Sequence, residues 1–250
     1  MNRDYVTCLV NDDQEEVAKM FQKYDLTAMP VVDSENRLVG IITVDDIIDV
    51  VQEENTEDME RMAAIATTHK SYLKVGVIET WKARIPWLLL LMVSATFTGK
   101  IIQSYEAALS TYVILTAFIP MLMDTGGNAG SQASVTIIRG LSLGEVEFKD
   151  ILKVIWKEIR VALFCGVTLA VANFLKLIII DKVTLVVNII VNVTLIFTIC
   201  IAKLLGCTLP LLAKKAKLDP AVMINPFITT LVDACSLIIY FKIATQLLGL

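Results

Sequence analysis

The carboxylate of Asp233 stands in the middle of the last apolar segment of the chain, residues 220–249. An acid at the centre of a membrane helix costs roughly 2.5–3.5 kcal/mol to insert, so it normally faces a protein interior or a water path. Asn225 and Thr229 lie eight and four residues earlier, which places all three side chains on one helical face. Because Pro226 lacks an N–H, a backbone carbonyl near Asn225 is left free. Such a stripe of oxygens suits a hard cation, and the alternative is a buried polar contact between helices.

A second group of polar residues interrupts another apolar segment, Phe118-IPMLMDTGGNAGSQASVTIIRG. A proline and three glycines should break or thin its helix, so that backbone can approach a partner or an ion path; these are Pro120, Gly126, Gly127 and Gly130. The amides of Asn128 and Gln132 are four residues apart and can point along one face. Irregular polar backbone is tolerated at membrane depth only beside protein or water. The glycines alone could reflect tight packing, but together with Asp233 they favour a pore.

A third set of candidate ligands is a dense run of acids in the polar N-terminal part of the chain. Eight acids occur within sixteen residues, with no basic residue before Arg61: Asp45, Asp46, Asp49, Glu53, Glu54, Glu57, Asp58 and Glu60. The dipole of a helix favours acids at its N-terminus, but eight exceed that need, and like charges at this spacing repel one another. A divalent cation would relieve the repulsion, and all-oxygen ligands suit Mg²⁺ or Ca²⁺. The alternative is a solvated acidic face.

The composition divides the chain into a soluble part and a membrane part. The chain is 56% hydrophobic, with a mean hydropathy of +0.67, which is far above a soluble domain of this length. Residues 1–85 carry 17 acids and 9 bases, whereas the remainder carries 9 acids and 13 bases. The N-terminus is too polar for a signal peptide. Five cysteines without CxxC spacing and one histidine argue against a disulfide framework, a zinc site or a histidine-based triad.

Five apolar segments predict an α-helical membrane protein with five transmembrane helices, at about 86–103, 108–138, 159–180, 183–213 and 220–249. Lysine and arginine concentrate before the first segment, between the second and third, and between the fourth and fifth. The N-terminus is therefore expected in the cytoplasm and the C-terminus outside, with the protein in the inner or plasma membrane. Lys203, inside the fourth segment, is expected to snorkel or to line the bundle, and no role is assigned to it.

The N-terminal part predicts a small, partial α/β domain over residues 1–54, with one helix over 13–25 and a second helix that begins at Val44. Two strands are expected between these helices, at Met29-PVVD and Leu38-VGIIT. Thr43 is expected to cap the second helix. A further acidic helix, from Thr56 to about Thr80, would form a connecting segment over 55–84 that leads into a membrane domain over 85–250.

The stretch Tyr24-DLTAMPVVDSENRLVGIITVDDIID resembles a CBS domain, in its Leu-Val-Gly-Ile-Ile-Thr strand and the Asp-Asp helix that follows. CBS domains are regulatory modules that usually work in pairs, and this sequence contains one. Its partner repeat would come from another subunit or from elsewhere in a longer protein. Whether this half binds a nucleotide such as ATP is left open.

Four segments together resemble the MgtE family of magnesium channels and transporters, in order and over essentially the whole chain: Glu54-NTED, Arg84-IPWLL, Pro120-MLMDTGGNAGSQ and Asp219-PAVMINPFITTLVD. The family also has an N-terminal soluble domain and a first CBS repeat, which this sequence does not show. We therefore expect altered regulation and leaky gating. The chain is not expected to be an enzyme.

The resemblance implies a homodimer in the lipid bilayer, with an axial pore lined by the second and fifth spans. Asp233 and its counterpart would hold a hydrated Mg²⁺, supported by Asn225 and the backbone near Thr229. Asp219 matches a second acidic position, and Asp124 is a candidate pore acid without a firm role. Residues that match regulatory Mg²⁺ positions are Asp25, Asp46, Asp49, Glu54, Glu57 and Asp58. Residues 55–80 match the helix that plugs the pore when cytosolic Mg²⁺ is high.

Two other functions are compatible with parts of this sequence. Asp124-Thr125-Gly126 spells the DTG of aspartic proteases, and with Asp233 it could share a proton and activate water. The second alternative function is a membrane-anchored sensor of divalent metals that does not transport them. A simple anchor, however, needs no polar interior. Nucleic-acid binding is not expected from an acidic soluble part. The sequence does not separate a channel from a carrier, nor, without the resemblance, Mg²⁺ from Mn²⁺, Co²⁺ or Ca²⁺.

Overall fold

The computed structural model describes residues 6–67, 72–223 and 225–249. The chain divides into two compact units, residues 1–61 with 66–75 and residues 62–65 with 76–250. The first unit is a small α/β domain and the second is a bundle of long helices. This arrangement confirms the predicted fold class, a helical membrane protein with an N-terminal α/β region.

The α/β domain contains a three-stranded sheet with the order β1-β2-β3. The short strand β1 (Cys8–Leu9) pairs in parallel with β2 (Ala28–Val32), and β2 pairs antiparallel with β3 (Leu38–Thr43). Both predicted strands are confirmed. The strand β1 was not predicted, because two residues are too few to show an alternating pattern.

Two helices complete the α/β domain. Helix α1 (Gln14–Tyr24) begins after Asp13, whose Oδ1 accepts a hydrogen bond from the Glu15 N–H at 2.9 Å. Helix α2 (Val44–Met62) begins directly after β3, and Thr43 donates its N–H and its hydroxyl to Asp46 Oδ2. Thr43 thus marks the start of α2 as expected, and the helix runs on past the predicted domain boundary at residue 54.

The predicted single helix from Thr56 to about Thr80 is wrong. Helix α2 ends at Met62, and Ala64 adopts a left-handed backbone conformation with φ of 56°, which cannot continue a right-handed helix. A 3-10 turn follows at Tyr72–Lys74, and helix α3 begins at Val77. The described part of the connecting segment therefore contains the end of α2, the turn at Ala64, the 3-10 turn and the start of α3, whereas residues 68–71 lie outside the described residues.

In the second unit, four of the described helices are long and apolar enough to cross a membrane. They are α3 (Val77–Ser104), α6 (Ile151–Ile179, preceded by the 3-10 turn Phe148–Asp150), α7 (Leu185–Lys215) and α8 (Asn225–Leu248). Helix α7 is the centre of this unit, since 56% of its most apolar stretch is buried, against 6% for α3. It packs against α6, α8 and a fifth helix, α5 (Ile119–Ser142).

The predicted second span, residues 108–138, is not one continuous helix. It is divided into α4 (Glu106–Thr111), a 3-10 helix (Val113–Phe118) and α5 (Ile119–Ser142). The break comes before Pro120, which occupies the first turn of α5, where a missing N–H costs nothing. The helix then continues through the glycines, so the prediction that they break it is wrong.

The glycines of α5 and α7 allow these helices to touch. A Cβ atom at Gly126 would lie 2.7 Å from Cγ2 of Thr198 and 2.8 Å from Cγ1 of Val232. A Cβ atom at Gly206 would lie only 2.3 Å from the carbonyl oxygen of Gly130. Tight packing, the alternative left open above, is therefore the structural role of these positions, and van der Waals contact of this kind holds membrane helices together.

The irregular segment before α5 is tied to α8 by Tyr240. The Tyr240 hydroxyl, which is fully buried, donates to the carbonyl oxygen of Leu115 at 2.9 Å. The neighbouring Phe241 stacks on Tyr105, with ring centroids 4.6 Å apart. A break between helices at membrane depth needs such contacts, because lipid offers no hydrogen bonds to backbone groups that the helices leave unpaired.

A buried asparagine network joins α6 to α7. Asn173 Nδ2 donates to Asn192 Oδ1 at 3.0 Å, and Asn192 Nδ2 donates to the Asn188 carbonyl at 2.8 Å. Asn188 Nδ2 in turn donates to the Phe174 carbonyl at 3.2 Å. Amide hydrogen bonds between apolar helices fix their register, since an unpaired amide would be costly in this environment.

Gly206→Ala is expected to destabilise the bundle by about 1–3 kcal/mol, because the new methyl group must displace the backbone of α5. The measurement is the melting temperature of the purified protein in detergent. Gly99→Ala is the matched control, since nothing lies within 4 Å of a Cβ atom at Gly99. Equal melting temperatures for the two variants would contradict the proposed contact between α5 and α7.

Tyr240→Phe should lower the free energy of unfolding by about 0.5–1.5 kcal/mol, because it removes a buried hydrogen bond between α8 and the Leu115 carbonyl. Thermal unfolding followed by size-exclusion chromatography measures the change. Tyr105→Phe removes a hydroxyl from the stacked neighbour and keeps the ring contact, so it should unfold close to the parent protein. A larger effect at Tyr105 than at Tyr240 would show that the hydrogen bond is unimportant.

Candidate functional site

One face of α5 is polar and exposed. Four polar residues recur every four positions along it: Asp124, Asn128, Gln132 and Thr136. All four are exposed in the single chain. Asn128 Nδ2 donates to Asp124 Oδ2 at 3.2 Å, and the Thr136 hydroxyl donates to the Gln132 carbonyl at 2.8 Å. We call these four residues the polar face of α5. In a bundle of apolar helices, such a face needs water or a second protein surface beside it.

Asp233 lies midway along α8 and is partly buried. No hydrogen bond or ion pair from another described residue reaches its carboxylate. Thr229, one turn earlier on the same face of α8, has its Cγ2 atom 3.6 Å from the Cβ position of Gly127. Because Gly127 precedes Asn128 in α5, the Thr229 and Asp233 face of α8 borders the polar face of α5.

The other predicted pore residues stand at the start of α8. Asn225 and Pro226 open this helix, and their side chains lie outside the described part of the chain. Asp219 precedes the 3-10 turn Pro220–Met223, and its Oδ1 accepts a hydrogen bond from the Ala221 N–H at 2.8 Å. Asp219 therefore caps this turn, whatever further role it has.

A cleft of about 760 Å³ opens beside α5 and is lined in part by Asn128, Gln132 and Thr136. Ser131 of α5, Glu158 of α6 and Lys203 of α7 are its other polar lining residues. Lys203 Nζ lies 3.7 Å from Glu158 Oε2, and the two side chains are only 7% and 12% exposed. The sequence pointed to Lys203 as an ionisable group inside an apolar segment. It missed Glu158, which precedes the predicted third span by one residue.

The acids predicted to bind regulatory Mg²⁺ lie on α2, except Asp25, which ends α1 in the left-handed conformation with φ of 50°. Asp46 accepts two hydrogen bonds from Thr43, at 2.6 Å from the hydroxyl and 3.0 Å from the N–H. These bonds, the hydroxyl first, hold the pKa of the Asp46 carboxyl below its usual value. Asp46 is therefore engaged in starting α2.

The remaining acids of this set are spread along α2. Glu54 accepts a hydrogen bond from Gln14 Nε2 at 2.6 Å, and Glu57 forms an ion pair with Arg61. Asp49 is exposed and Asp58 is partly buried. Among residues 6–67, 72–223 and 225–249, no group of three or more acidic, cysteine or histidine side chains is close enough to hold a metal ion. The regulatory site stays a prediction.

Comparison with known proteins covers both units. The model of the MgtE family, described as a divalent cation transporter, matches residues 119–243, from α5 to α8. The model of the CBS domain matches residues 1–53, in agreement with the resemblance of the N-terminal part. The matched proteins are transporters, so the expectation that the chain is not an enzyme is confirmed, and the aspartic-protease alternative gains no support.

Three magnesium transporters named MgtE are similar to this chain. The protein from Thermus thermophilus is 38% identical over 248 residues, which are 99% of this chain and 55% of that protein. Those from Bacillus subtilis and Enterococcus faecalis are 41% and 34% identical, over 93% and 98% of this chain and 51% and 53% of their own lengths. The chain thus spans about half the length of the curated relatives that it matches. Since the family model covers half of the chain, including the helices that carry the candidate site, the chain belongs to the MgtE family of divalent cation transporters.

Proposed function

We propose that this chain transports Mg²⁺ across a cell membrane as a homodimer, along a path lined by the polar face of α5 and by Thr229 and Asp233 of α8. The observation that carries the proposal is the exposure of four polar residues, one on each successive turn of α5, on a helix whose opposite face is buried in the bundle. The relatives named above are magnesium transporters, which supports Mg²⁺ as the substrate.

A second copy of the chain would shield the polar face of α5 from lipid. Homodimers are the commonest oligomers of proteins, and a two-fold axis would bring equivalent residues from both copies to face each other. The two polar faces would then enclose a narrow aqueous path. Charged or polar groups inside a membrane protein normally line such a path. For this reason we place the polar face of α5 against water and a second copy, and not against lipid.

Asp233 is the residue proposed to hold the ion. Mg²⁺ gives up its water reluctantly, and a path that grips it through one or two carboxylates keeps several of those waters in place. Two Asp233 carboxylates facing each other would repel until a divalent cation lies between them. Asn225 and the backbone near Thr229 would accept hydrogen bonds from the hydrating waters, with Asp219 attracting cations nearer the start of α8.

Control of transport is assigned to the acids of α2. Because the described part of one chain brings no three acids together, a regulatory Mg²⁺ would be shared with acids of a second copy. High internal Mg²⁺ would bridge the acids and hold the path shut, and low Mg²⁺ would let their repulsion separate them. In this proposal the α/β domain lies in the cytoplasm and the protein lies in the plasma membrane.

Asp233→Asn tests the proposal with the smallest change in shape. We expect Mg²⁺ uptake into proteoliposomes to fall by roughly tenfold or more, the effect of losing about 1.4 kcal/mol of ion stabilisation. Asp181→Asn is the control, because Asp181 lies in the loop between α6 and α7 and pairs with Lys176. Uptake is followed with a Mg²⁺-sensitive dye inside the vesicles, at matched protein incorporation.

Equal uptake by the Asp233→Asn protein and the control would remove Asp233 from the path and refute the central assignment. Metal-dependent changes in the α/β domain, in a protein that shows no uptake with Asp233 intact, would instead favour the sensor without transport.

A further inference from the structure

Lys203 and Glu158 form a buried ion pair that the proposed path does not use. Lys203 belongs to α7, the most buried helix of the bundle, and Glu158 belongs to α6. Their side chains are 7% and 12% exposed, and the nearest nitrogen–oxygen distance is 3.7 Å. Two charges taken out of water lose several kcal/mol of hydration each, and an ion pair repays that loss only when its geometry is good.

The geometry of this pair is loose. A separation of 3.7 Å exceeds the range of a hydrogen bond between an ammonium group and a carboxylate. No hydrogen bond joins Lys203 Nζ to another described residue, so the three donors of the ammonium group have no partner apart from this contact. A pair whose only purpose was to tie α6 to α7 would be expected to form short bonds, like the one that Asn173 and Asn192 form several turns away between the same two helices.

Both charged groups face the cleft beside the polar face of α5. Glu158 is the one carboxylate among the described residues that line this cleft, and the other side chains there that carry oxygen are Asn128, Ser131, Gln132 and Thr136. A carboxylate with neutral oxygens around it is a ligand set that suits a hydrated Mg²⁺ or Mn²⁺. The cleft therefore contains the elements of a second cation site, with an ammonium group already in place.

We propose that Lys203 is a tethered cation that neutralises Glu158 and so prevents the cleft from retaining a divalent ion beside the transport path. This inference rests on the proposed function, because it assigns Lys203 a role in keeping the path free of a trapping site. Conduction needs sites that bind the ion weakly enough to release it, and an uncompensated carboxylate in a cleft of low dielectric would bind too well. Lys203 acts here as a specificity-determining residue and does not itself touch the transported ion.

The test is the binding of Mn²⁺, measured as free Mn²⁺ by electron paramagnetic resonance, to the full chain in detergent. All variants carry Asp233→Ala, so that the proposed pore site is absent and no transport is needed. Adding Lys203→Met should create about one further Mn²⁺ site per chain, from which Mg²⁺ displaces the Mn²⁺. Adding Glu158→Gln to that protein should abolish the new site, and Lys203→Arg should not create it, because the positive charge remains.

Two results would overturn the inference. One is an Asp233→Ala/Lys203→Met protein that binds no more Mn²⁺ than Asp233→Ala alone. The other is a new site that survives Glu158→Gln. The Mn²⁺-binding test needs no transport, so its result does not depend on the effect of Asp233→Asn on uptake. The inference and the proposed function can therefore fail separately.

Removing the ammonium group leaves a buried carboxylate without its partner, which can unfold the protein. In that event Mg²⁺ should restore a monodisperse elution profile to the Lys203→Met protein, because the ion replaces the ammonium charge. The Lys203→Met/Glu158→Gln protein should elute normally without Mg²⁺. Failure of Mg²⁺ to restore Lys203→Met, beside a well-behaved double variant, would mean that the pair only ties α6 to α7.

Discussion

The backbones of α5 and α7 approach each other at Gly130 and Gly206, and the position of each polar group in the candidate site follows from that contact. With no Cβ atom at Gly206, its helix can lie against the Gly130 carbonyl, where a methyl group would be 2.3 Å from the oxygen. Gly126 allows the same closeness to Thr198 of α7 and Val232 of α8. The small-residue face of α5 is thereby buried, and the helix has only one orientation in which its glycines meet their partners.

That orientation turns the polar face of α5 away from the packed interior. Asp124 and Thr136 lie at its two ends, and both are exposed in the single chain. Exposed polar groups on a helix among four apolar helices would be costly against lipid, since nothing there replaces the hydrogen bonds of water. Because one face of α5 packs against α7 and α8, its polar face must be covered by water and a second copy of the chain. Asp233 of α8 stands beside this face because Thr229 packs against Gly127.

The sequence predicted the elements whose physical signal is local and strong. Long apolar segments located α6, α7 and α8, and alternating residues located β2 and β3. It failed where tertiary contacts override local preference: the glycines of α5 looked like helix breakers, but packing against α7 compensates for their low helix propensity. The left-handed Ala64 that ends α2 carries no local warning, since alanine favours a helix. Glu158 was overlooked because only the fold brings it to Lys203.

The most direct measurement is the water accessibility of the polar face of α5 in a membrane. In a chain whose five cysteines are replaced, single cysteines at Gln132 and at the exposed Phe164 of α6 would be treated with a membrane-impermeant thiol reagent. Thiols react as thiolates, which form in water and not in lipid, so the account predicts that Gln132→Cys reacts roughly tenfold or more faster than Phe164→Cys. Equal, slow labelling of both would contradict a water-filled path along α5.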